Sequence, residues 1–124
     1  MLIELLVTLT LAGGELPPNM HEGAGYVPCD RQCRRERRMR KRVRPWRAKI
    51  RRIATCESGR RWHLNSGNGF YGGLQFTLGT WNSAGGDGYP HHASALEQKY
   101  RAVIWHDRIG TWVTTAGWPV CGYS

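Results

Sequence analysis

From Asn65 to Phe76 the chain reads NSGNGFYGGLQF, a third of it glycine. Neither a helix interior nor a long strand tolerates that density, because glycine loses the most backbone freedom on ordering and offers no side chain to pack. The segment must therefore be a tight β-hairpin or a compact loop, and helix can form only on either side of it. The same glycines would let the backbone approach a bound ligand closely.

Upstream, Trp46, Ile50, Ile53 and Ala54 recur at helical spacing and describe one apolar stripe. Gly59 can take the left-handed conformation that ends such a helix, which puts Glu57 on its last turn. Downstream, Phe76, Leu78 and Trp81 predict a short helix between Thr77 and Ala84, and GGDGYP then breaks the chain. Ser94-Ala95-Leu96-Glu97 reads as a capping box opening a helix to about Arg108, with Leu96, Tyr100, Val103, Ile104 and Trp105 on its buried face. The expected class is α+β: a small, mainly helical domain with a glycine-rich hairpin or loop, over residues 46–124.

Residues 1–45 read differently. MLIELLVTLTLAGG is too short for a membrane span. Its small residues at 12–14 suit an export signal, whereas Glu4 and the lack of a leading Lys or Arg suit a short packed or partner-binding helix. Residues 13–30 have the composition of a linker. Thirteen of the 18 Lys and Arg residues then fall between Arg31 and Arg52, so the net charge of +9 belongs to one segment. With almost no apolar face, this stretch is expected to be a solvated basic arm drawn to polyanions: teichoic or other acidic wall polymers, anionic lipid or, less favoured for lack of interleaved aromatics, nucleic acid.

With 124 residues the chain holds one domain. Walker A, G-x-S-x-G and H-E-x-x-H motifs are all absent, so phosphoryl transfer, serine hydrolysis and zinc proteolysis have no support. Cys29 and Cys33, with His21 or the pair His91-His92, match no standard zinc spacing, and neither metal nor cofactor is expected. Cys56 and Cys121 bracket the globular part; a bridge between them would add about 4 kcal/mol by the chain-entropy model, although reduced buried cysteines would read the same. From residue 46 on, the acids are Glu57, Asp87, Glu97 and Asp107. Glu97 is assigned to the capping box, Asp107 to an exposed helix end and Asp87 to a turn, which leaves Glu57 beside aromatics that could desolvate it.

The string C-E-S-G-x-x-W-x-x-N-S-G-N-G-F-Y-G-G-L-Q-F-x-x-x-T-W, Cys56 to Trp81, together with G-W-P-V-C, Gly117 to Cys121, resembles the resuscitation-promoting factor domain. That is a family of actinobacterial, peptidoglycan-cleaving, transglycosylase-like proteins of lysozyme-like fold. The resemblance spans Ile50 to Ser124. It implies that Glu57 is the catalytic acid, that Cys56 and Cys121 form a disulfide, and that Gln75 contacts substrate. It also implies that Tyr71 and Trp81 line the cleft, with Asn68 and Trp62 as further sugar contacts. The family usually has Gly-Gly after Glu-Ser, where this chain has Gly59-Arg60, and commonly a tryptophan where this chain has Ile50.

A lysozyme-like hydrolase needs two carboxyl groups, and the sequence offers one candidate. A lytic transglycosylase acting on the MurNAc-GlcNAc β-1,4 bond needs only one, because the sugar's own C6 hydroxyl replaces water. The expected protein is monomeric and works outside the cell or in the wall, with a phage origin also open. The alternatives are a non-catalytic wall-binding or phage structural module of the same fold, and a nucleic-acid-binding protein led by the basic arm.

Overall fold

Arginine dominates Arg31–Val43, yet this segment is a helix, α1, that buries Met39 and Val43 one turn apart. The computed structural model of the chain describes residues 27–124; the apolar run at residues 1–14, His21 and most of the linker lie outside the described residues. Arg31–Ser124 form one compact unit. Within it α1 packs against helix α4, Ala95–Ile109. Arg35 pairs with Glu97 at 2.9 Å and Arg42 with Asp107, so both ends of α1 are fixed to α4 by charge.

The segment from Arg31 to Val43 is thus not the solvated arm expected from its composition. Two apolar residues four apart seat the helix, and the arginines fan out to either side of that seam. Pro45 then sits in a short 3-10 turn, Arg44–Trp46, that leads into α2, Arg47–Ser58. Trp46 packs edge-on to Trp112, with ring centres 5.3 Å apart, and Ile50, Ile53 and Ala54 of α2 are wholly buried. The predicted apolar stripe is therefore the core face of α2, and Gly59 ends the helix with φ +64°.

The glycine-rich stretch is a compact loop. Tyr71 forms isolated antiparallel bridges to Asn65 and to Phe76, and no longer strand is present among the described residues. Helix α3, Leu78–Ser83, follows, with the Thr77 hydroxyl accepting from the Thr80 amide. Two arginines of α4 hold its far end, Arg101 donating to the Ala84 carbonyl and Arg108 to that of Ser83.

Helix α4 opens as predicted, with Ser94 Oγ accepting from the Glu97 amide at 3.1 Å. Only half of the capping box forms. The Glu97 carboxylate does not turn back to Ser94; it is held between Arg35 and Arg101, because two guanidinium groups outbid one backbone N–H. The buried positions of α4 are Gln98, Ala102 and Val103, while Leu96, Tyr100 and Trp105 pack at the edge of the core.

Gln98 is fully buried and fully satisfied. Its Oε1 accepts from the Gly73 amide at 2.9 Å, and its Nε2 donates to the carbonyls of Trp62 and Ala93 at 2.8 and 3.1 Å. Replacing it with leucine keeps the volume but strands one N–H and two C=O groups. Gln98→Leu is expected to cost roughly 3 kcal/mol, read as a lower urea midpoint at unchanged slope. A loss below about 0.5 kcal/mol would show that water reaches these groups.

Candidate active site

The C-terminal turn of α2 is fastened on two sides. Cys56 is bonded to Cys121, closing 65 residues of sequence. Ser58, itself buried, donates its hydroxyl proton to the Gly73 carbonyl at 2.8 Å and accepts from the Arg61 amide at 3.0 Å. Glu57 lies between these anchors, half-buried. Cys29 and Cys33 are disulfide-bonded as well, so no cysteine is free.

Burial pushes the Glu57 carboxyl above its ordinary value. The negative end of the α2 dipole acts in the same direction. Its carboxylate has no ion pair or hydrogen bond among the described residues, whereas every other acid from Arg31 onward is occupied. Glu36 meets Gln32 and Arg40, Asp87 accepts from the Gly88 amide, Glu97 holds two arginines, and Asp107 pairs with Arg42.

The loop facing this helix end is defined by its backbone. Gln75 has φ +53°, a left-handed conformation costly for a side-chain-bearing residue, and its Nε2 donates to the Gly72 carbonyl at 2.9 Å. Its amide oxygen has no protein partner among the described residues. Gln75 lines a recess of about 200 Å³ with Phe70, Thr80, Trp105 and Trp118. Phe70 is 44% exposed, a large apolar ring left toward solvent. Tyr71 stacks on His91 with ring centres 5.4 Å apart, and Tyr89 closes the group at the same distance from Tyr71.

The other expected site residues fall elsewhere. Trp81 is a core residue, 0% exposed, edge-on to Phe76, its indole N–H donated to the Asp87 carbonyl. It has no face to offer a sugar. Asn68 is exposed, and its side chain accepts from the Phe70 amide, stabilising its own turn. Trp62 is half-buried behind the loop, where a Cβ on Gly73 would approach its ring to 2.4 Å, and Lys99 lies over its face. Phe70 and Trp105 escaped the sequence reading. Phe70 sits within the quoted motif but off any periodic pattern, and Trp105 falls on the helical stripe that predicts burial.

The unit is thus mainly helical, with one unpaired, half-buried carboxyl at a helix end beside a glycine-built loop. The model of the Transglycosylase-like domain family matches residues 45–121, and the chain belongs to that family. The resuscitation-promoting factor Rpf of Micrococcus luteus is 54% identical over 70 residues, covering 56% of this chain and 30% of the relative. RpfE of Mycobacterium tuberculosis is 47% identical over 70 residues, covering 56% and 38%, and Rpf1 of Corynebacterium glutamicum is 40% identical over 75 residues, covering 59% and 37%. The chain thus spans about a third of the length of these curated relatives.

The family's second glycine after Glu-Ser is here Arg60, at φ +64°. A left-handed arginine costs on the order of 1 kcal/mol that glycine would avoid. Arg60→Gly is expected to raise the melting temperature by a few degrees; an unchanged or lower value would show that the arginine side chain makes up for its backbone.

Because the Glu57 pKa is higher in the fold than in the unfolded chain, its contribution to stability is complete below the unfolded value of about 4.3 and is lost as pH rises through the folded value. Glu57→Gln should therefore melt like the wild type at acid pH and above it at neutral pH. A variant less stable than the wild type at neutral pH would show that the charged carboxylate has a favourable partner.

Proposed function

We propose that the chain is a peptidoglycan lytic transglycosylase in which Glu57 is both the general acid and the general base. The observation that carries this reading is the carboxylate census among the described residues: from Arg31 onward one acid is half-buried, unpaired and raised in pKa, and the other four are engaged. Family membership supports peptidoglycan as the substrate class, within which the bond assigned is the MurNAc-GlcNAc β-1,4 glycosidic bond.

In the first step the Glu57 carboxyl donates its proton to the glycosidic oxygen, and the bond from that oxygen to C1 of the muramic sugar breaks. The leaving sugar departs as an alcohol, and an oxocarbenium-like centre develops at C1. The Glu57 carboxylate then takes the proton from the C6 hydroxyl as O6 bonds to C1. This gives a 1,6-anhydro product and returns Glu57 to its acid form. No second carboxylate is required, since the nucleophile belongs to the substrate and benefits from high effective molarity.

Within this reading, Gln75 presents its free amide oxygen to an N-acetyl or hydroxyl hydrogen. Phe70, Tyr71 and Trp105 give ring faces to the apolar sides of the sugars. Two disulfides per chain suit an oxidising compartment, where the wall is also found, and no helix of the described residues is long and apolar enough to cross a membrane.

The test is digestion of purified peptidoglycan with product analysis. Wild-type protein should release anhydro-muropeptides, and Glu57→Gln should lower the rate by about 10²- to 10⁴-fold. Activity should also fall as pH rises through the elevated Glu57 pKa, because the proton to be donated is then absent. Reducing-end products without anhydro-sugar would replace the transglycosylase reading with a hydrolase, and cleavage by the Gln variant at the wild-type rate would remove Glu57 from the chemistry.

A further inference from the structure

Helix α1, the turn after it, α2 and α4 bring basic side chains together at a second place. Arg40, Arg44, Arg47 and Lys99, with Val43 and Leu96, line a recess of about 230 Å³. Among the described residues Arg44, Arg47 and Lys99 form no ion pair, and Arg40 has only a loose contact with Glu36 at 3.9 Å. The clustering leaves a mark on Lys99: burial, and then the guanidinium groups of Arg51, Arg40 and Arg47, push its ammonium below the ordinary lysine range. Like charges gathered without a counter-charge raise the energy of the free protein, and an anion that enters relieves that repulsion.

We propose that this recess is a binding site for the phosphoryl groups of a polyol phosphodiester polymer. Three observations specify the ligand. The cations come from separate elements and so from several directions, which suits a tetrahedral phosphoryl group better than a planar carboxylate. Val43 and Leu96 supply an apolar patch for a short polyol arm, and no aromatic ring lines the recess to stack a nucleobase. Further exposed arginines along α1, such as Arg37 and Arg38, offer the next phosphates of a repeating chain a weaker track. The site uses none of the groups assigned to glycan cleavage, so it would persist in Glu57→Gln and does not depend on the proposed activity.

The experiment is a titration of the full chain, isotopically labelled, with poly(glycerol phosphate) and with single-stranded DNA of equal phosphate number at matched salt. Amide shifts should centre on Arg44, Arg47, Leu96 and Lys99, and the affinity for the polyol polymer should fall steeply with salt. Arg44→Gln with Arg47→Gln should weaken binding by about tenfold or more, as expected for lost charge-assisted contacts. Arg31→Gln with Arg37→Gln removes the same charge away from the recess and should cost only about two- to threefold. Equal losses from the two pairs, or shifts spread evenly along α1, would reduce the recess to diffuse attraction and overturn the site. Tighter binding of the DNA would overturn the choice of polymer.

Discussion

One residue, Gly73, ties helix α2 to helix α4. Its N–H is taken by Gln98 of α4 and its carbonyl by Ser58 of α2, both buried side chains. A Cβ here would collide with Trp62, so only glycine can occupy the junction. The neighbouring backbone is settled in the same way: the Gly72 amide donates to the Leu64 carbonyl, and the Leu74 carbonyl accepts the Trp118 indole N–H at 2.7 Å. In a low-dielectric interior such bonds are strong only because all of them are made, and losing one partner strands the rest.

That junction explains how a loop can be held firmly against the helix that carries Glu57. Glycine-rich segments are ordinarily soft, yet this one is clamped at Gly73 to the residue that directly follows Glu57. On the opposite side, Cys121 is bonded to Cys56, and Lys49 donates to the carbonyls of Gly122 and Ser124. The backbone at Glu57 is therefore fixed before and after the residue, leaving the carboxyl itself the least encumbered polar group of the region. A general acid needs such an arrangement, because a partner good enough to hold the carboxylate would also lower its pKa and remove the proton.

The sequence made the apolar stripe of α2, the glycine stop at Gly59, the serine cap of α4 and the solitary position of Glu57 legible, because each depends on local pattern or simple counting. What it hid depended on tertiary choice. Glu97 suited a capping box until Arg35 and Arg101 competed for it, and Gln98 looked like an ordinary polar helix residue although it carries the central hydrogen bonds. Trp81, expected at the cleft, lies in the core, and Phe70, to which the sequence assigned no role, lies at the surface, since an aromatic residue in a short motif has no period to show which way it faces. The basic stretch misled for a related reason. Two apolar residues among thirteen are a weak periodic signal, and only the partner helix reveals that they suffice.

Charge is also distributed with a consequence for the chemistry. Thirteen cations lie between Arg31 and Arg52, and a free guanidinium beside Glu57 would hold its carboxyl in the ionised form. Arg61, downstream of Glu57, donates its Nε–H to the Ser58 carbonyl at 2.7 Å, where it caps the negative end of α2. Burial is accordingly what sets the direction of the Glu57 shift, upward, in a chain of net charge +9. A strongly basic chain can thus hold one carboxyl above its ordinary pKa while cations elsewhere are turned toward Glu97 and Asp107 and toward the helix-end carbonyls of α2 and α3.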